Sequence, residues 1–463
     1  MSEGTITKPA GRLRPLPKRF SPPLVGDSLA FIDDPVSFLT TKRKQLGPVF
    51  RIDILGDEVA CFVGPEAFEL FLDDRFFTRD KGSPPHIRRL FGDDAIPFLE
   101  GDAFRKRKAF LMKAFTDEAL EGYVPTLDRV LSRYLRRWSE LHAFRWVPEL
   151  VSFGLAAAAS VFLGVPPDRE DPELERLLTD AVDGILSMPV DLPFTRYGKA
   201  LRASVEIRKR IAAEIDAREE RKGSGAEPDA LGCLLRAKDE LDYEISREAL
   251  INELFHFFGA YVLVIGGLSF LAMHLGQHAS VRDRVRAEIE QKLGQRPLDW
   301  AALCQLEYLD RVTKESRRVQ PITPITFFAR VKERCSFEGV EIPEGLKAVG
   351  CIAPTLLDER TFTEPHKFDP DRWGGRATLR QHAAWVPHGG GGHLTHHRCA
   401  GEVLADLMLE LFAVRLVRDY EWTFPEQDFA PTIGQLYATP KGGLDVRFTR
   451  RHARSSGTTA GAS

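Results

Sequence analysis

The sequence predicts a mainly α-helical fold with small β-sheets, and three observations predict it. Apolar residues recur at three- and four-residue spacing through most of the 463 residues. Strand-like runs are short and come from distant parts of the chain. No repeat of about 20 to 50 residues is present, which argues against a solenoid or propeller. Residues 1–20 form a basic, proline-rich leader expected to be flexible, residues 21–450 a single domain, and residues 451–463 a disordered tail.

Taken in order, GPVFRIDILGDEVACFVG (47–64) is strand-like. Helical spacing follows in FTDEALEGYVPTLDRVLSRYLRRWSELHAF (115–144), YGKALRASVEIRKRIAAEIDAREERK (197–222) and SREALINELFHF (246–257). KGSGAEPDA (222–230) is the loop between the last two. The run Phe257–Met273 carries no charge and sits at the lower edge of membrane-spanning length. Its mid-chain position, its glycines and the charged amphipathic stretch that follows favour a helix buried on all sides. ITFFARV (325–331), CSFEGVEIPEG (335–345) and GLDVRFT (443–449) are the remaining strand-like pieces.

Lys and Arg number 64 against 67 Asp and Glu, so no basic footprint for nucleic acid exists, and no nucleic-acid or membrane partner is expected. Six scattered cysteines without a CxxC pair favour a reducing cytoplasm over a secreted disulfide scaffold. The leader lacks the apolar core of a signal peptide.

The stretch HGGGGHLTHHRCAGE (388–402) admits three chemistries. A phosphate loop needs a lysine after its last glycine, and His393 and Leu394 follow instead. Zinc remains open, since four histidines and Cys399 are ligand types, although no second cluster lies at ligand spacing. The third reading accounts for more residues. AGEVLADLMLELFAVRLVRDY continues as a helix, so Cys399 lies just before a helix N-terminus, where free amides are expected to lower a thiol's pKa. Ala400 and Gly401 are small enough to let a flat macrocycle approach, and His397 and Arg398 would offset its acidic groups. Such a thiolate suits the axial position of haem iron.

With these residues the chain resembles a cytochrome P450. Glu315-Ser-Arg-Arg318 resembles the family's ExxR pair, and PHKFDPDRW (365–373) the segment supplying its third member, Arg372. IPEG (342–345) matches the turn that follows. The resemblance covers about residues 20 to 450 and implies the P450 fold, with haem b between a distal helix and the cysteine loop, Cys399 being the iron ligand. The loop is most similar to that of bacterial fatty-acid peroxygenases, PxGGGxHxxxHRCxGE, and the likeness continues through FTRDKGSPPHIRRLFG (77–92) and EGDAFRKRKAFLM (100–112). It implies that Arg105, Lys108 and Arg330 approach the haem, with Phe104 replacing the usual histidine or tryptophan donor.

The distal helix departs from both patterns. Where P450 monooxygenases carry an acid and an alcohol, this chain has Val262 and Leu263, and neither donates a proton. O2 activation in the family needs protons delivered there, whereas hydrogen peroxide brings its own protons and electrons. Where the peroxygenases carry an Arg-Pro pair that binds the substrate carboxylate, this chain has Gly259-Ala260. From Leu254 to Ala279 the basic residues are His256, His274 and His278 alone.

The resemblance implies a peroxygenase-like haem-thiolate oxidoreductase acting on a small apolar organic molecule. Its oxidant would be hydrogen peroxide, or O2 with a ferredoxin or flavoprotein partner. O2-independent chemistry of specialised biosynthesis and a non-catalytic haem-thiolate sensor or carrier are the other readings. Phe98, Leu99, Phe255, Phe258, Gly259, Val262, Leu263, Pro324 and Ile325 are expected to line the pocket, with walls from segment 177–198 and the IGQLYATPKGG turn (433–443).

Overall fold

A computed structural model describes residues 13–18 and 26–451, apart from 55, 186, 222–226, 242, 376 and 433–436. Most of the 222–230 loop and the first part of the 433–443 turn therefore lie outside the described residues.

Ten strands occur among the described residues: β1 (Val49–Ile54), β2 (Asp57–Phe62), β3 (Phe77–Thr78), β4 (Ala143–Arg145), β5 (Ala329–Val331), β6 (Cys335–Phe337), β7 (Val340–Ile342), β8 (Lys347–Gly350), β9 (Tyr420–Thr423) and β10 (Asp445–Arg450). They form a five-stranded sheet in the order β1-β2-β8-β5-β3, a three-stranded sheet β4-β10-β9 and the hairpin β6-β7. β1 and β2 pair antiparallel with Val49 opposite Phe62, and β2 runs parallel to β8. The strand-like stretches at 47–64, 335–345 and 443–449 all contribute strands. β3, β4, β8 and β9 are too short to show alternation in the sequence. Within the leader, Arg14 exchanges backbone hydrogen bonds with Gly339 and Glu341, extending the β6-β7 hairpin.

The helices that build the site are α1 (Pro85–Phe91), α2 (Gly101–Leu111), α3 (Asp117–Leu141), α4 (Trp146–Leu163), α5 (Pro172–Asp183), α6 (Arg196–Glu220), α7 (Arg247–Tyr261), α8 (Leu263–Gln277), α9 (Glu307–Val319) and α10 (Glu402–Asp419). Side-chain caps start several of them: Thr116 accepts from the Ala119 amide at α3, and Ser246 from Ala249 at α7. The apolar run expected as one helix is two, because the turn tightens at Val262, where the Ile265 amide bonds the Val262 carbonyl.

α8 packs against α4, α9 and α10 at once. By length and composition Trp146–Leu163 and Arg247–Gln277 could cross a membrane. But 67% and 72% of their apolar windows are buried among neighbouring helices, as in core helices. Glycine permits the closest approach: a Cβ on Gly266 would lie 2.6 Å from the Ala438 carbonyl, so the C-terminal turn rests directly on α8.

Candidate active site

The cysteine loop reaches α10 through turns that require left-handed backbone at Gly389 and Gly391 (φ +84° and +80°). The Cys399 amide donates to the His388 carbonyl at 2.9 Å, closing the loop on itself. Its thiol pKa lies above the usual value, contrary to the expectation of a lowered one. Burial dominates, and the nearby Lys108 cation and a hydrogen bond from the Gly401 amide oppose it only in part. Both opposing groups would stabilise the thiolate once a metal takes the place of the proton.

Glu315 and Arg318 are fully buried, and the expected triad is present with two further donors. Arg318 forks onto both carboxylate oxygens of Glu315 at 2.8 Å. Arg372 Nε reaches Oε1 at 2.9 Å, Trp373 Nε1 reaches Oε2 at 2.9 Å, and the Asp369 amide donates at 3.0 Å. Arg318 also donates to the carbonyls of Leu356 and Pro365. One carboxylate thus ties α9 to the whole 356–373 segment.

The third member of Glu315-Ser-Arg-Arg does different work. Arg317, 3% exposed, donates to His388 Nε2 at 2.9 Å, lies 2.6 Å from Asp406 of α10 and stacks over Trp385. Burial first, then Arg317, lowers the His388 pKa to about 4, so the imidazole is neutral and accepts. This links α9, the first turn of the loop and α10. Arg317→Leu is expected to cost about 2–3 kcal/mol, the worth of charge-assisted hydrogen bonds lost from a partly buried site, read as a fall in melting temperature.

The loop histidines are each taken up separately. His388 meets Arg317, His393 lies 3.6 Å from Glu402, His396 Nδ1 accepts from the Gly392 amide, and His397 stacks on Phe104 with centroids 4.1 Å apart. Among the described residues no three His, Cys, Asp or Glu side chains converge as metal ligands. The zinc reading therefore fails, whereas one half-buried thiol flanked by cations fits haem.

Beside the loop opens a cavity of about 430 Å³, lined in part by Arg79, Glu100, Phe104, Arg105, Lys332 and His397. Arg79, Arg105, Lys332 and His397 could take the acidic edge of a haem. Arg105 meanwhile pairs with Asp102. The other expected cations lie elsewhere. Lys108 is buried and donates to the Arg398 carbonyl, and Arg398 forks onto Glu402 at 2.6 and 2.9 Å instead of facing a cofactor. Arg330 donates to the Asp80 carbonyl. Arg79 and Lys332 were not singled out in the sequence, although FTRDKG carries the first.

α7 and α8 present one accessible stripe. Among the described residues from Ala249 to Leu275, only His256, Gly259, Ala260 and Leu263 retain accessible surface, the others being buried. Their spacing of three, four and seven residues is one face of a helix. Around it sit Phe91, Phe98, Phe255 and Phe327: Phe91 lies 6.0 Å from Phe255 and 6.3 Å from Phe327, and Phe98 6.3 Å from Phe327. Leu99 is half-buried beside them. Three expected lining residues lie off the stripe. Phe258, about 200° around the helix from His256, packs on Phe162 of α4. Val262 is buried, and Ile325 packs against the β1-β2 cluster. Pro324 is half-buried, its carbonyl accepting from the Ala353 amide.

Comparison with known proteins gives the same picture. The family model described as cytochrome P450 matches residues 15–447. A putative cytochrome P450 120 of Synechocystis is 31% identical over 93% of this chain and 96% of its own length. Abscisic acid 8'-hydroxylase 1 of rice is 27% identical over 93% of this chain and 89% of its own. The structure of a retinoic acid-bound cyanobacterial CYP120A1 superposes with a TM-score of 0.87 at 29% identity, covering 95% of this chain and all of that one.

Proposed function

The chain belongs to the cytochrome P450 family, and from that premise we propose that it oxidises an apolar carboxylic acid with hydrogen peroxide, Cys399 supplying the thiolate ligand. Haem held there supplies the capacity to insert oxygen into an unactivated C–H bond. The observation that carries the choice of oxidant is the accessible stripe of the distal helix. It holds neither the acid nor the alcohol through which P450 monooxygenases deliver protons, because Val262 is buried and Leu263 is apolar. The substrate class rests on two similar proteins whose names carry retinoic acid and abscisic acid, both carboxylic acids on a largely hydrocarbon frame.

The chain's residues then divide the work. Glu315, Arg318 and Arg372 hold the segment behind the cysteine loop, and Arg317 with His388 holds its first turn. Phe91, Phe98, Phe255 and Phe327 provide the apolar wall that excludes water. Arg79, Arg105, Lys332 and His397, which line the cavity beside the loop, would hold the acidic edge of the haem. The scattered cysteines, all free, support a reducing cytoplasmic location.

A paired turnover assay on haem-loaded protein tests the oxidant. Retinoic acid is offered with hydrogen peroxide in one arm, and with O2, NADPH and surrogate electron-transfer proteins in the other. Oxidised product in the peroxide arm alone is expected. Product in the reductant arm alone would assign the chain to the O2-dependent route and require a proton donor other than residues 262 and 263.

A further inference from the structure

We propose that His256, backed by Glu253, binds the carboxylate of the substrate and so replaces the arginine that this chain lacks at position 259. The proposal rests on the reading of the substrate as an apolar acid.

His256 is the one polar side chain on the accessible stripe of α7 and α8, one helical turn before Gly259. Its ring is held edge-on by Phe91 (5.7 Å) and Phe327 (6.4 Å), the aromatic residues of the apolar wall. Position 259 is tight for a side chain, since an added Cβ would lie 3.2 Å from the Phe91 ring, which would have to give way slightly.

Behind His256 lies a carboxylate with an unused oxygen. Glu253 is fully buried, and its Oε1 accepts from Arg107 Nη1 at 2.7 Å and from the Ile96 amide at 2.9 Å. Its Oε2 has no hydrogen bond, nor has His256 Nδ1, and the two face each other at 3.8 Å. Leaving buried polar atoms unbonded is costly, so a small rotation that joins them is favoured. When both ring nitrogens carry protons, Nδ1–H is directed at Glu253 and Nε2–H donates to an anion. Arg107, Glu253, His256 and a bound carboxylate then alternate in sign, and no charge is left uncompensated in the low-dielectric pocket.

Other cations near the wall are already engaged. Arg208 donates to Asn252, to the Ser204 carbonyl and to the Leu90 carbonyl. Arg79 donates to the Phe327 carbonyl, and Arg88 to Asp93.

The test is ligand binding to the haem-loaded full chain, followed by the change in haem absorption, with retinoic acid and palmitic acid each compared with its methyl ester. The wild type is expected to bind the acids at least about tenfold more tightly than the esters, the scale of one charge-assisted hydrogen bond. His256→Phe is expected to abolish that preference while leaving ester affinity within about twofold, and His256→Arg to restore it. If His256→Phe does not take up haem, His256→Gln carries the same comparison. A wild type without acid preference would overturn the substrate class, and the anchor with it. A wild type that prefers acids, with His256→Phe and His256→Gln preferring them equally, would overturn the anchor alone.

Discussion

Replacing Cys399 by alanine is expected to leave a folded protein that has lost its chemistry. The side chain is half-buried and small, so its truncation costs on the order of 1 kcal/mol, the middle of the range for ordinary substitutions. The loop keeps its geometry, because the Cys399 amide bond to His388 is a backbone contact. What disappears is the thiolate, which pushes electron density toward O–O cleavage. Turnover is expected to fall by about 1,000-fold, or about 4 kcal/mol of barrier. The ferrous carbon monoxide complex of any haem retained would lack the absorption of thiolate ligation. Circular dichroism matching the wild type, together with that spectral loss, checks both halves of the expectation.

Replacing Glu315 by alanine is expected to do the reverse, damaging the fold before the chemistry. One fully buried carboxylate accepts from Arg318 twice, from Arg372, from Trp373 and from the Asp369 amide. Removing it strands the Arg318 guanidinium at 0% exposure with three carbonyl partners, of Leu356, Pro365 and Lys367, and no counter-charge. Breaking a buried pair in this way costs about 3–5 kcal/mol, comparable to the whole stability of a marginal domain. Low soluble yield, a sharply lower melting temperature and a haem-to-protein ratio near zero are expected. Glu315→Gln keeps the shape and two acceptor sites on one oxygen, and should recover part of the yield. An alanine variant that melts with the wild type and binds haem fully would remove the network from the account.

What could be read from the sequence was local or motif-borne. The i,i+3 pair Glu315 and Arg318 stands on one helix turn, and Arg372 follows in a segment whose pattern marks it. Cys399 stands out because its loop concentrates unusual residues ahead of a regular helix. Contacts between remote residues could not be read. Arg107 and Glu253 are 146 positions apart, and Arg317 and His388 are 71 apart. Nothing in either neighbourhood signals the partner, because tertiary packing alone brings them together. The Cys399 thiol shows a competition of magnitudes: the helix terminus and Lys108 act in the expected direction, but burial outweighs them. Phe258 shows a limit of another kind. Its place on the distal helix implied by the resemblance marked it as pocket-lining, while helical phase turns it onto Phe162.

The accessible stripe from His256 to Leu263 carries the central claim, that oxygen reaches the substrate from peroxide without an acid–alcohol relay. The most direct measurement supplies ¹⁸O-labelled hydrogen peroxide in ordinary air to the haem-loaded protein with retinoic acid, and reads product mass. The account predicts that the inserted oxygen is ¹⁸O in nearly every product molecule. Product carrying unlabelled oxygen from O2, formed at a rate that depends on an added reductant, would contradict it.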